Sequence, residues 1–492
     1  MRRRFEVQLA LGRTPIERVN IPLKSRDELP PILAGLQWIF QTPEINEKIF
    51  ALLEAKWMEG KKATGRPGMD LWQILVLGVV RLGLDCDYDR LEDIANHHSL
   101  VRAIMGLPAV AEPTEKPFHY KTLSQNVCRV DEELLGQINA VIVQAGRGLF
   151  KKKGDGGSIR AKADSYVVQT NVHYPTDLNL LWDGQRKCAD LLKPLVERHQ
   201  MGGWRKSKAW RSCLKSQMIR LTRLLSGGGP NKEQRQKEAA AAYVRDSYRF
   251  EQKVHETIQR LPTPCDVVEV MKREALNYFH TMMIKQLDLV ERRLMGQEKI
   301  PHEEKVFSLF EPHTEFIKKG KLFPPVELGH KVLLTTDQNE LILDYRVMEQ
   351  PSDKDEVIAL VDRLLGRFGS TAIRSLSFDK GFTRAEDRGL VELYIPEVIM
   401  PKCGKRNAAE EARESGRSFQ RLRRKHHAIE SDINALEHHG LDRCPDKGYE
   451  GYKRYIGLGV LAYNLHKIGG RVLAERARRH RRKTGPAKSL SA

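Results

Sequence analysis

No two of the seven cysteines form a CxxC pair: Cys86, Cys128, Cys188, Cys213, Cys265, Cys403 and Cys444 lie far apart along the chain. Neither a zinc site nor a disulfide framework is suggested, and a reducing cytosol fits. A membrane-spanning run is missing too, because the apolar stretch at residues 74–82 is interrupted by Arg81 and is too short to cross a bilayer. The opening MRRRFEVQLALGR is charged and has no continuous apolar core before a small-residue cleavage site, so it does not read as a signal peptide. A soluble, cytoplasmic protein with no membrane partner is expected. One further absence is local: residues 198–232 contain nine Lys or Arg and no Asp or Glu.

That basic run is interleaved with Trp204 and Trp210, a mixture suited to phosphates and exposed bases, and Arg205, Lys206, Lys208, Arg211 and Lys215 are its candidate DNA contacts. A charge run is more often only a solvated face, but total exclusion of acid over such a length is harder to dismiss. The whole chain leans the same way. Its 83 Lys and Arg exceed 64 Asp and Glu, a formal charge of +19, which favours a polyanionic partner. At 492 residues there is chain for two or three domains.

Residues 1–60 read as a short extended piece at 5–11 and two helices at 31–40 and 43–57. The Gly-Arg-Pro-Gly break at 65–68 opens a helical region, 61–146, with helices at 71–82, 85–96, 99–107 and 123–143. Its DYDRLEDIANHHSLVRAIMGL has the form of a helix-turn-helix unit, the form in which one helix crosses the backbone and the next enters a groove; small bundles that bind nothing share the pattern. Residues 108–117 form a Pro- and Glu-containing linker, and 151–157 a basic, Gly-rich connection. After a β-prone run at 161–172, residues 184–300 read as a large helical insertion broken at 227–230 and 261–264.

β signals resume at 306–310, 326–336 and 341–348, with a hairpin turn at 337–339. Ser352 or Asp353 is expected to cap a helix whose apolar residues, Val357 through Phe368, share one face; 373–378 and 398–400 are further strands. A long helix at 408–439, a packing helix at 455–468 and a basic tail from Arg471 complete the chain. The fold class is α/β: a mixed sheet flanked by helices, built from 158–183 and 301–468, with the helical insertion after its first strand and an all-α N-terminal region.

Three carboxylates stand in order on this scaffold: Asp164 on the first strand, Asp379 at the end of a later one, and Glu430 on the helix that follows. Hard carboxylate oxygens hold Mg²⁺, and phosphodiester chemistry uses such sets around divalent ions. His173 and His330 are weaker ligand candidates, since oxygen suits Mg²⁺ better. Trp182 and Trp204 could stack on a flipped base, with core packing at least as good a reading.

Together, GRPGMDLWQILVLGVVRLGL, ADSYVVQTNVHYPTDLNLLWDGQRK, SLFEPHTEFIKKGKLFPPVELGHKV, LSFDKGF, AIESDINALEHHGLDRCP and YIGLGVLAYNL resemble bacterial insertion-sequence transposases of the DDE class, closest to the ISNCY group. The resemblance spans almost the whole chain. It implies an RNase H-like catalytic domain, Asp164, Asp379 and Glu430 as catalytic and metal-binding acids, Mg²⁺ with Mn²⁺ as a substitute, and a homo-oligomer on paired double-stranded DNA ends. It also implies strand cleavage followed by transfer to target DNA in a nucleoid-associated setting. One departure stands out: where relatives often carry Tyr, Arg and Lys around the Glu, this chain has Arg423, His426 and Glu437, which shifts phosphate handling toward Arg424 or Lys425. Lys380 is either a phosphate contact or a solvated neighbour of Asp379. A DNA-binding regulator with an inactive domain, or a nuclease without strand transfer, remains an alternative.

Overall fold

The computed structural model describes residues 4–5, 13–58, 68–111, 115–150, 157–318, 325–349 and 352–484. Most of the expected extended piece at 5–11, of the break at 65–68 and of the connection at 151–157 lies outside them, as does part of the linker at 108–117. The chain divides into two units, one of residues 1–171 with 319–492 and the other of residues 172–318. No helix among the described residues is long and apolar enough to cross a membrane.

The first unit begins with seven helices: α1 (Leu29–Gln41), α2 (Pro43–Met58), α3 (Leu71–Gly83), α4 (Tyr88–His97), α5 (Ser99–Ile104), α6 (Tyr120–Val127) and α7 (Glu132–Gly146). Nearly every α3 residue is buried, so this helix, apolar on all sides, is a core element. Arg81 is tolerated there because its guanidinium donates to both oxygens of Asp446, at 2.6 and 3.2 Å, and lies 4.2 Å over the Tyr88 ring. The single helix expected at 123–143 is instead α6 and α7, because the Asp131 carboxylate accepts the Leu134 N–H and starts a new helix. α5 has six residues, four of them buried, with Arg102 bonded to the Pro108 carbonyl and Glu115. Ser99 and Leu100 are its only residues that are not buried.

The strands are β1 (Ile159–Thr170), β2 (Glu315–Lys318), β3 (Val326–Thr336), β4 (Ile342–Val347), β5 (Ile373–Phe378), β6 (Glu397–Ile399) and β7 (Arg443–Cys444). They form a mixed, open sheet. Within the first unit β1 is central: β3 pairs with it antiparallel on one side, β5 parallel on the other, and β7 extends its far end. β4 pairs antiparallel with β3 across the expected turn, and β6 runs parallel to β5.

Four helices follow these strands in sequence or precede the last of them: α12 (Val357–Phe368), α13 (Ala385–Glu392), α14 (Ala408–Ser415) and α15 (Arg417–His426). α16 (Ala428–Leu436) comes next. The expected cap of α12 is a correction, since the helix starts at Val357 with no side-chain cap, and Asp353 bonds to the sheet instead. The one long helix expected at 408–439 is interrupted at Gly416 and His427, and it ends in a π-type turn at Glu437–Leu441 where Gly440 adopts φ +84°. The last helix, counted as α17 (Tyr449–Thr484), continues through the expected tail from Arg471. Val472 and Leu473 are buried, Arg471 donates to the Leu149 carbonyl, and Arg476 donates to Gln37, so its first turns are packed rather than free.

α1 and α17 cross at backbone contact. A Cβ on Gly469 would collide with the Pro31 carbonyl oxygen, and one on Gly35 with the Leu465 carbonyl. Gly469→Ala is therefore expected to lower stability by about 3 kcal/mol, the upper end for overpacking because backbone cannot rotate away. Thermal denaturation of the full chain measures it; Gly470→Ala, with open space around the added methyl, is the neutral control.

The second unit has its own core. Four helices, α8 (Asp177–Arg198), α9 (Ser207–Ser226), α10 (Lys232–Arg260) and α11 (Val267–Leu294), fall where the insertion was expected, with an additional break at 199–206. Their apolar stripes enclose Leu181, Leu192, Trp204, Tyr243, Phe250, Leu276 and Met283. The strand expected at 306–310 is absent; that stretch is irregular and the short β2 comes after it.

Candidate active site

The parallel register of β1 and β5 pairs Ala163 with Phe378. Both are buried. One step further, β5 ends and Asp379 is exposed, while β1 runs on to Thr170 with Asp164 half-buried at the same level. The turn that carries Asp379 is held from below: Lys380–Phe382 forms a single 3-10 turn, and the buried Phe382 ring packs 5.4 Å from Phe378. Two adjacent parallel strands thus deliver two aspartates side by side.

Glu430 is positioned by a residue two places on. Asp432 is buried, where it receives hydrogen bonds from Thr336 at 2.8 Å and Tyr463 at 3.3 Å and pairs with the buried Lys162 ammonium at 3.4 Å. This ties α16 to β1, β3 and α17. At 100° per residue, Glu430 lies about 200° around the helix from Asp432. Its carboxylate is accordingly 72% exposed and 3.5 Å from His427 Nδ1.

The electrostatics join these groups. Burial first, then the negative charges of Asp379, Asp353 and Glu430, push the Asp164 carboxyl up to about 6, against one opposing hydrogen bond from the Ser165 N–H. Burial pushes the ring of His426 down to about 4, so it is neutral at pH 7, and its Nδ1 lies 3.1 Å from the Ser377 hydroxyl on β5. Comparison with known protein families, curated proteins and solved structures finds no match. The site's chemistry is therefore read from its own atoms.

Asp353 is the acid that sequence reasoning missed. It accepts from Ser165 Oγ at 2.8 Å and pairs with Lys331 Nζ at 2.9 Å. An Asp just before a helix looks like a cap, and only the pairing of Ser165 with Leu333 and of Val167 with Lys331 across β1 and β3 shows that Asp353 has a different job. Among the described residues, the oxygens of Asp164, Asp379 and Glu430 do not form one of the tight groupings in which all ligand atoms lie within 4.8 Å. They are neighbours in one field, around the carboxyl end of β5.

The donor set nonetheless fits a divalent ion. Carboxylate oxygens are the ligand type of such an ion, and a cation beside Asp164 would relieve the repulsion from Asp379, Asp353 and Glu430 that helps raise its carboxyl. Asp164, Asp379 and Glu430 would be the holders, with Asp353 already engaged by Lys331.

The basic residues separate by surroundings. Lys380, Arg424 and Lys425 are exposed on the first unit; Arg205, Lys206, Lys208 and Lys215 are exposed on the second. Arg211 is paired with Asp190 at 2.6 Å. Trp204 is buried and its indole N–H donates to Thr257, so it packs a core and cannot stack on a base. A cleft of about 560 Å³ lined by Lys193, Trp204, Arg205 and Lys208 opens beside it. Arg423 lies 3.9 Å from Glu414. His330 is buried between the rings of Tyr449 and Tyr452, and His173 lies 3.4 Å from Asp183.

Proposed function

We propose that this chain is a DNA transposase that binds the terminal inverted repeats of an insertion sequence and catalyses divalent-metal-dependent strand cleavage and strand transfer. The observation that carries the reading is the β1–β5 register, which sets Asp164 beside Asp379 at the carboxyl end of β5 with Glu430 acting on the same carboxyl. A cluster of acids facing polyanionic DNA is a liability for a pure binder and useful to a phosphodiester enzyme. Bound there, Mg²⁺ or Mn²⁺ supplies activation of the attacking oxygen and stabilisation of the leaving one.

The chain's own residues do the rest. Lys162 and Thr336 fix Asp432, which holds α16 in place; Lys331 and Ser165 fix Asp353; Lys380, Arg424 and Lys425 present cations to the phosphates flanking the scissile bond. The net charge of +19 draws the duplex in. The exposure of Glu430 and the spread of the trio favour, as second reading, a regulator that binds DNA without cutting it. Incubation of the full chain with a duplex bearing the repeats that flank its coding region separates the readings. Nicked or cut ends with Mg²⁺, and joined products with added target DNA, support the transposase; cutting without joining indicates a nuclease; binding alone indicates the regulator.

Binding itself should be strongly salt dependent. If about six phosphates are neutralised, affinity is expected to fall on the order of a thousandfold between 50 and 200 mM salt. Replacing Lys206, Lys208 or Lys215 by Ala should each reduce the log–log slope by about one unit, as read by fluorescence anisotropy. Slopes unchanged by all three move the DNA path off α9.

A further inference from the structure

The second unit carries a cluster with no part in the acid trio. Glu251 and His255 stand four residues apart on α10 and so project from one face, adjacent to the buried Phe250 and Val254 that pack against α11. His280 projects from α11. The ring N–H of His280 meets a Glu251 oxygen at 2.8 Å, the His255 and His280 rings lie 5.8 Å apart, and one ligand atom from each of the three residues falls within 4.8 Å of the others.

We propose that Glu251, His255 and His280 bind a borderline divalent cation such as Zn²⁺, clamping α10 to α11. Two imidazoles and one carboxylate are a zinc donor set, and metal–nitrogen distances of about 2.0–2.1 Å place tetrahedral ligand atoms about 3.3 Å apart. The Glu251–His280 contact needs to open by only about half an ångström from its hydrogen-bonded distance, with the ion taking the place of the shared proton. The ligands grade from core to solvent: His280 is buried, Glu251 half-buried and His255 exposed, so the ion has an entry path and a coordination position open to water. A second grouping, His199 with Cys265 and Glu269, has similar spacing but different chemistry. Glu269 is already held by Arg273 and by Arg198, and two guanidinium charges exclude a cation.

The test is a titration of the metal-free, full-length Asp164→Asn/Asp379→Asn protein with Zn²⁺, followed by calorimetry, and with Co²⁺, followed by its visible spectrum. That background removes two of the three expected Mg²⁺ holders from competition. One Zn²⁺ per chain, a nitrogen- and oxygen-ligated Co²⁺ spectrum and a higher melting temperature with Zn²⁺ are expected. His255→Ala, at an exposed position that leaves the core intact, should weaken this binding on the order of a hundredfold and abolish the thermal shift, while Cys265→Ala changes neither. Stoichiometric binding that survives His255→Ala, a thiolate-type spectrum, or no binding at all overturns the proposal.

Discussion

Asp164→Asn and Asp379→Asn, made singly, are expected to reduce metal-dependent cleavage of terminal-repeat DNA by about a thousandfold or more, equivalent to about 4 kcal/mol of transition-state stabilisation, with DNA affinity kept within a few-fold. The amide retains the shape of the carboxylate and removes its charge. At Asp164 the substitution has a second, opposite consequence. A carboxyl whose folded-state pKa is raised to about 6 contributes stability that is fully present below the ordinary Asp value and is lost as pH rises through about 6. At neutral pH, then, the ionised Asp164 opposes folding, and the melting temperature of Asp164→Asn relative to the wild type should be higher at pH 8 than at pH 4. Activity and stability move apart at this residue. A variant that loses DNA binding and melting temperature together would show Asp164 to be a structural residue.

The second large effect separates two glutamates seven residues apart. Glu430→Gln is expected to abolish cleavage with folding and binding intact, whereas Glu437→Gln keeps most of it. The charge of Glu430 acts on Asp164 and on His426, which also faces Asp379. The charge of Glu437 acts instead on Tyr166, two residues further along β1 and fully within the core. Glu437 keeps helical backbone angles at the end of α16, and the path breaks only at His439 and Gly440, so the two glutamates differ in the groups their charges meet. Cleavage assays with Mg²⁺ and with Mn²⁺ on both variants decide the matter, and an active Glu430→Gln beside a dead Glu437→Gln reverses the assignment.

What was legible in the sequence follows from which forces are local. The β-prone runs around Val167 and at 326–336 announced β1 and β3, and the apolar stripe from Val357 announced α12, because propensity and burial on one face are written into the local chain. Asp379 could be placed at a strand end for the same reason. The failures lie where a single polar group overrides the period: Asp131 starts a helix inside an otherwise continuous pattern, Gly416 interrupts another, and Asp353 leaves the cap position for Ser165 and Lys331. The basic tail was misread because charge was weighed without Val472 and Leu473, which bury a face of the same helix. Nor could spacing reveal Glu251, His255 and His280, whose third member is contributed by a different helix.

The glycine crossing of α1 and α17 also sets an order of events during synthesis. α1 is made long before the surface it needs, around Leu465 and Gly469. Until then α1 can pack on α3, where Ile32 meets Gly83, but the face that α17 covers has no permanent partner. The nascent chain therefore carries an apolar face until α17 is made, and a premature stop anywhere between the two yields a product with that face uncovered. Truncated copies of this chain should be cleared or aggregate instead of persisting as competitors for DNA ends.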